Sequence, residues 1–332
     1  MLDVHSPFGA QLFLAPMAGV TDLAYRLFMK ELGAEVLCSE LISAEGYVHG
    51  SRRTKEMMAI HEDEKPAGVQ IFGSKAESMC AIATYAQDNG ASFVDINCGC
   101  PVPKVTKSGA GSAMLKKLDD MQILLSALRQ ALTIPLSIKI RTGWDEESKQ
   151  AHEIVKIAAD CGVDWVSIHG RTREMGYSGK CDWAYLEEVR KQSPLPIIGN
   201  GDLWTASQAV SKLKTFPAVM VGRPVLANPL YFLQVQEQLG NQTIHTPSLA
   251  ELCTRYYNIV QEHVHPKVRL TKCKKMFIWF STGYQGKGTF RKSLYEHKGS
   301  EEEVLQLACE YFEIAKKSNN HNFENFLGNG HG

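Results

Sequence analysis

The residues best able to do chemistry crowd into Asp95-Ile96-Asn97-Cys98-Gly99-Cys100-Pro101, where an apolar run gives way to an amide, two thiols, a glycine and a proline. A thiol of ordinary pKa, near 8.5, is largely protonated at neutral pH, so such a cysteine can hand over a proton as well as attack. Asn97 can donate and accept at once. Further on, Lys139 interrupts the apolar run Leu136 to Ile140, and His169 follows the run Asp164 to Ile168. A lysine so placed is partly desolvated and calls for an electron-rich partner. Taken singly, each has a plainer reading: a packed thiol, a solvated lysine, a hydrogen-bonded core histidine. Together they recur at one kind of place, just past a short apolar run.

That place is a strand end. Val94 and Ile96 alternate at period two, and Gly99 with Pro101 stops the pattern, so the run Ser92 to Ile96 is expected to be a strand that stops just before Asn97. Similar runs occur at Gln11 to Ala15, Glu35 to Cys38, Ala67 to Phe72, Leu136 to Ile140, Asp164 to Ile168, Leu195 to Ile198 and Ala218 to Val221. Each is followed by turn residues and a helical pattern. Thr21-Asp22 should cap one helix, Ser74 should start another, and Glu147 to Cys161 a third that stops at Gly162. Eight such units fit a (β/α)8 TIM barrel of the α/β class. An open nucleotide-binding sheet would start with Gly-x-Gly-x-x-Gly after its first strand, and here that strand meets Ala15-Pro16-Met17-Ala18-Gly19.

After about residue 240 the alternation stops. Gly240 to Ser248 reads as a linker, Ser248 and Glu251 as a capping box, and helices follow from Pro266 to about Thr282 and from Glu301 to Lys317. In the first of these, Cys273, Met276, Phe277 and Phe280 form a buried stripe. The expected organisation is a barrel over 1–240, a helical domain over 245–320 and a disordered tail over 321–332.

The 332 residues carry no net charge, yet between Pro266 and Gly299 nine Lys or Arg face the single acid Glu296. Segregation of that kind suits a polyanion, with a solvated helical face as the alternative. Nine cysteines without a repeating framework suit a reducing compartment, and Cys98-x-Cys100 is poor spacing for a metal. No basic n-region precedes an apolar stretch and no run approaches a membrane span, so a cytoplasmic monomer without metal or membrane attachment is expected.

In a barrel all carboxyl strand ends share one rim. There the loops after strands seven and eight offer Gly199, Asn200, Gly201, Asp202, Gly222 and Arg223, a combination suited to phosphate. A flavin ring, which gains negative charge on reduction, would serve Lys139, with Gln70 toward its pyrimidine part and Pro16, Met17 and Ala18 as a small apolar platform. A barrel oxidoreductase of a small pyrimidine-like metabolite, of the dihydroorotate dehydrogenase type, shares these features and lacks a need for the basic helices.

The stretches Ala15 to Asp22, Asp95 to Pro101, Lys139 to Trp144, His169 to Arg173, Gly199 to Asp202 and Val221 to Arg223 together resemble the tRNA dihydrouridine synthases, most of all the bacterial B-type enzymes. Cys98 departs from the methionine of the B-type pattern. The resemblance spans nearly the whole chain and implies an FMN-dependent enzyme that reduces the C5=C6 bond of a D-loop uridine in tRNA, with NADPH as electron donor. It gives Pro16, Met17, Ala18, Gln70, Lys139 and His169 to FMN, together with Asn200, Gly201, Asp202, Gly222 and Arg223. Cys100 becomes the general acid, delivering a proton to C5 after hydride reaches C6. Asn97, Lys139, Arg141 and His169 are then expected at the uracil. Lys272, Lys274 and Lys275 would grip tRNA, with Arg171 and Arg173 extending that surface.

Overall fold

The computed structural model describes residues 5–241 and 246–316. Nine strands form one sheet: β1 (Leu12–Leu14), β2 (Leu37–Cys38), β3 (Ile42–Ser43), β4 (Ala67–Phe72), β5 (Phe93–Cys98), β6 (Leu136–Arg141), β7 (Trp165–His169), β8 (Ile197–Asn200) and β9 (Ala218–Val221). Their order is β1-β9-β8-β7-β6-β5-β4-β2, with the short β3 added to β4. A parallel bridge between Phe13 and Val36 closes the ring from β2 back to β1. The expected TIM barrel is therefore present, with a helical C-terminal region.

The strands hold together because both faces are buried, which is why the sequence shows them as apolar runs. Outward residues such as Ile96, Ile138, Ile140 and Ile168 pack under the surrounding helices. Inward residues are layered. Phe13, Val36, Phe93, Trp165, Ile198 and Ala218 fill the bottom of the barrel. A Cβ on Gly68 would lie 2.3 Å from the Phe93 ring, so that plug needs a glycine on β4. Above it the inward positions turn polar: Gln70, Asp95, Asn97, Ser137, His169 and Asn200 are all buried.

That layering moves the strand ends. β5 runs to Cys98 where the sequence suggested a stop at Ile96, and β6, β7 and β8 take in Arg141, His169 and Asn200. Asn97 pairs with Lys139, Arg141 with His169, and His169 with Asn200 in the parallel ladders. A polar side chain does not end a strand whose inner face is itself polar. Asp22 caps helix Leu23–Glu31 as expected, accepting from the Tyr25 amide. The helix expected from Glu147 starts only at Ala151, because Asp145 and Ser148 exchange hydrogen bonds in a turn of their own.

The C-terminal region contains helices Leu249–His263, Pro266–Phe280, Lys287–Glu296 and Glu301–Ile314. The Ser248/Glu251 capping box forms, and Cys273, Met276, Phe277 and Phe280 are buried. Helix Lys287–Glu296 gives little sign of itself in sequence: it starts at a left-handed Gly286 without a side-chain cap and buries only Phe290 and Leu294. These helices share a core with the barrel's first helix, where the Phe28 ring meets Tyr256 at 5.3 Å and Phe280 at 5.8 Å. The last helix stops at Ile314, three residues short of the expected Lys317, where Ala315 turns to extended backbone; part of the expected linker and the tail lie outside the described residues.

Candidate active site

Three neighbouring strands place Gln70, Asp95 and Ser137 side by side in register on the inner face. The Asp95 carboxylate accepts from the Ser137 hydroxyl at 2.6 Å and from the Gln70 amide nitrogen at 2.8 Å. Gln70 Oε1 in turn accepts from Asn97 Nδ2 at 2.9 Å. Asn97 Oδ1 accepts the backbone N–H of Cys100 at 2.9 Å and of Gly99 at 3.3 Å. Burial pushes the Asp95 carboxyl up, and its two donors with nearby Lys139 hold it back. Burial also raises the Cys100 thiol, against weaker pulls from the Val102 backbone, Arg141 and Lys139. Cys100 therefore stays a protonated thiol at neutral pH, half-buried at the top of β5. Cys98 is fully buried, 3.8 Å from the Met114 sulfur, and packs as a small apolar side chain.

Across the mouth, Lys139 Nζ donates to Asn200 Oδ1 at 3.1 Å, and Asn200 Nδ2 donates to the Met220 carbonyl at 2.8 Å. Burial, followed by repulsion from Arg141, pushes the Lys139 ammonium down to about 8. His169 is held well below its ordinary value by burial and then by Arg141, Lys139, Arg171 and Arg223, so its ring is neutral. Arg141 donates to the carbonyls of Gly99, Thr172 and Gly176, tying the β5, β6 and β7 loops together. Most of its fork is thus engaged within the chain. Arg223 lies over the rings of Tyr177 at 4.9 Å and Trp204 at 5.2 Å. The backbone at β8 bends through Gly201 at φ +120° and Asp202 at φ +49°. A Cβ on Gly201 would come within 2.8 Å of both the His169 ring and the Cys181 sulfur, so only glycine fits under the histidine.

Arg171 corrects the expectation from sequence. It is 3% exposed and offers no surface to a polyanion. One of its terminal nitrogens reaches both Asp202 oxygens at 2.8 Å, and the other lies 3.2 Å from His169 Nε2. An arginine alternating with His169 falls on the inward side beside the histidine, where burial demands a carboxylate partner. The Asp202 side chain is likewise committed to Arg171 and to the Cys181 amide. Arg173 stays near the rim, its guanidinium 4.4 Å from the centre of the Trp144 ring, which also carries Lys116 Nζ at 3.6 Å.

The loop Pro16-Met17-Ala18 follows β1, pinned by the Met17 amide on the Thr21 hydroxyl at 3.0 Å. Helix Pro266–Phe280 reaches this loop from the far end of the chain. Lys275 Nζ donates to the Gly19 carbonyl at 2.7 Å, Lys272 pairs with Asp22, and Glu40 accepts from the Gly19 amide. Lys274 points elsewhere, to the His297 carbonyl. Arg269 and Arg291 are folded onto the carbonyls of Val264 and Ile278 respectively. Of the basic residues in this segment, Lys267, Lys275, Lys292 and Lys298 are the exposed ones.

The mouth therefore gathers Gln70, Asn97, Cys100, Lys139, Arg141, His169, Asn200, Gly201, Asp202, Gly222 and Arg223, while Lys272, Lys274 and Lys275 sit on the C-terminal helices. Sequence reasoning gave no role to Asp95, Ser137, Tyr177 or Trp204. For Asp95 a signal existed, since an aspartate at an inward position of an apolar strand is rare unless it is paired. Among the described residues no group of three or more His, Cys, Asp or Glu side chains could hold a metal ion, and no helix is long and apolar enough to cross a membrane.

A closed parallel barrel with a half-buried lysine, a thiol and an arginine cluster at its carboxyl rim is the architecture of a (β/α)8-barrel enzyme. The barrel is similar to 6-hydroxypseudooxynicotine amine oxidase from Pseudomonas geniculata (TM-score 0.54, 15% identity, 70% of this chain and 47% of that one). It is equally similar to a 2-naphthoyl-CoA reductase (TM-score 0.54, 12% identity, 69% of this chain and 50% of that one). The dihydrouridine synthase (Dus) family model matches residues 13–318. The chain is 33% identical to tRNA-dihydrouridine synthase B of Pasteurella multocida over 90% of its length and 91% of that protein. Against tRNA-dihydrouridine synthase B of Xanthomonas campestris pv. campestris it is 37% identical over 72% of this chain and 73% of that one. The chain belongs to the dihydrouridine synthase family, and its similarity to B-type enzymes agrees with the motifs.

Proposed function

We propose that the chain reduces the C5=C6 bond of a uridine in tRNA, with FMN as resident cofactor, NADPH as electron donor and Cys100 as proton donor. The observation that carries this reading is the pairing, on one rim, of a thiol kept protonated by burial with a cluster of cations that outnumber their acids. Lys139, Arg141, Arg171 and Arg223 share the mouth with the carboxylates of Asp95 and Asp202, and they depress one another or His169. Such a cluster is relieved by an anion, and a phosphate monoester with an electron-rich ring fits that requirement. The buried Ser167 hydroxyl, level with Lys139 on β7, also has no hydrogen-bond partner among the described residues.

The residues fit FMN. Arg223, the Gly201–Asp202 backbone and Gly222 would hold its phosphate, Lys139, Asn200 and Gln70 its ring edge, and Pro16, Met17 and Ala18 its face. When bound, FMN supplies the hydride equivalent. The chain's part is to place the base and move the proton. The C4 carbonyl makes C6 of uracil electrophilic, and the charge that develops at C5 and O4 needs a proton on one side and a cation on the other. Cys100 delivers the proton to C5. Lys139, at about 8, can donate toward a developing oxyanion more readily than an unperturbed lysine. Asn97 and His169 orient the ring, and Arg141 acts by bracing the loops that surround it.

A base stacked inside tRNA does not reach a barrel rim, so the target uridine must be extruded, which costs least in a loop. The C-terminal helices, with Arg173 at the rim, supply the surface for the polynucleotide. The deciding experiment is anaerobic: reduced enzyme is mixed with unmodified tRNA or with free pyrimidines, and flavin absorbance is followed. Rapid reoxidation by tRNA and none by free uracil, uridine or orotate is expected. Reoxidation by a free pyrimidine in place of tRNA would assign the site to a small metabolite.

A further inference from the structure

We propose that Asp95 is a positioning residue for the proton donor: it sets the direction of a buried amide relay, Asp95 to Gln70 to Asn97, that ends on the backbone of Cys100. This rests on the reading of Cys100 as the acid. The relay links three side chains that are 4%, 1% and 8% exposed and runs from the middle of the barrel to the top of β5.

Its direction is fixed from both ends. At the lower end an ionised carboxylate can only accept, so Gln70 must turn its NH2 group toward Asp95 and its oxygen toward Asn97. At the upper end backbone N–H groups can only donate, so Asn97 must turn its oxygen toward Gly99 and Cys100 and its NH2 group toward Gln70. The two constraints meet at the Gln70–Asn97 bond and agree. An amide pair alone has two orientations of similar energy. With Asp95 and Ser137 in place, one orientation satisfies every member and the other sets like against like. The Ser137 hydroxyl occupies the second Asp95 oxygen, leaving a single oxygen for Gln70. In a buried, low-dielectric network that difference is magnified.

The relay also leaves three free valences on its two amides, two on Gln70 and one on Asn97. Gln70 keeps one N–H and one lone pair, and Asn97 keeps one N–H, all of known polarity. Asp95 thereby determines which edge of a ligand faces a donor and which faces an acceptor, without touching it.

Reversal tests the proposal. In Asp95→Asn the group that can only accept is lost: the new amide can offer Gln70 its oxygen, with its NH2 group on the Ser137 hydroxyl, or its NH2 group, so the lower end no longer dictates one direction. In Asn97→Asp the new carboxylate and Asp95 compete for the single Gln70 NH2 group. The double variant Asp95→Asn/Asn97→Asp restores a satisfied chain running in the opposite sense, with a carboxylate under the Cys100 N–H. Two readouts are compared with wild type: reoxidation of the reduced holoenzyme by unmodified tRNA in a single turnover, and the iodoacetamide alkylation rate of Cys100 by peptide mass spectrometry. Each single variant is expected to slow reoxidation by about 10-fold or more and to shift the alkylation rate several-fold, and the double variant to recover at least half of each logarithmic loss. Ser137→Ala, which keeps the direction of the relay, should leave Cys100 alkylation within about 2-fold of wild type. If Asp95→Asn does not fold, Asn97→Asp against the double variant makes the same comparison. A double variant at or below the product of the two singles, or single variants with wild-type Cys100 alkylation, overturns the relay. Full turnover by Cys100→Ala would instead remove the acid role while the alkylation arm still reports on the relay.

Discussion

The barrel mouth and the C-terminal helices are both dense in polar groups and differ in what answers them. At the mouth, side chains largely answer side chains: Ser137, Asp95, Gln70 and Asn97 form one chain and Arg171 meets Asp202, while Arg141 rests on three carbonyls. In the helices, backbone carbonyls answer Arg269 (Val264), Lys275 (Gly19) and Arg291 (Ile278), while Lys272 pairs with Asp22 and Lys292 with Glu296. A carboxylate cancels charge as well as filling the hydrogen bond. A carbonyl fills the bond and leaves the charge. Cations held on carbonyls keep their charge, and on the proposed reading that field attracts a polyanion from a distance while the exposed Lys267 and Lys298 are the ones free to meet phosphates directly. Counting charges in sequence measures the field and overstates the grip.

The sharpest way to break this contrast is at the thiol. Cys100→Ala is expected to lose ~10²–10⁴-fold in turnover on unmodified tRNA while retaining bound flavin, since a positioned acid contributes that much; wild-type rates would end the assignment. Next comes the side-chain pairing at the mouth. Arg171→Met leaves Asp202 and His169 without their buried partner and should cost about 3–5 kcal/mol in urea unfolding. A loss under ~1 kcal/mol would place this pair with ordinary surface contacts.

Lys139 offers a test by pH. Its folded pKa of about 8 lies below the ordinary 10.5, so the folded state releases a proton that the unfolded chain still holds between those values. Stability contributed at this position therefore rises with pH across that window. The unfolding free energy of the cofactor-free wild type should gain on that of Lys139→Met as pH rises above 8, and a flat difference would show that the lysine is not desolvated.

The smallest effects separate field from grip. Lys272→Met with Lys275→Met should lower stability by ~1 kcal/mol by releasing Asp22 and Gly19. Lys267→Gln with Lys298→Gln should leave stability unchanged and reduce the slope of log affinity for tRNA against log salt by about 1–2. If the first pair alters the salt slope as much as the second, lysines already engaged within the chain grip RNA after all.

Much of this was legible in the residues. The eight apolar runs named the barrel, and Asn97, Lys139, His169 and Arg223 were placed on one rim by their positions after those runs. What escaped the sequence was partnership. Arg171 looked like a surface cation because nothing in its spacing reveals Asp202, 31 positions away. Asp95 was read as part of a motif, without a role, because its donors come from two other strands. Helix Lys287–Glu296 was missed because its two buried residues are too few to mark a period.

The grip of Phe28 between Tyr256 and Phe280 has a last consequence. These aromatic contacts make the C-terminal helices the lid of the barrel's own core, so a fragment stopped after residue 241 would bare a greasy flank. Such fragments should collect as inclusion bodies, and recombination that swaps the helical end between relatives should succeed only when the first helix of the barrel travels with it.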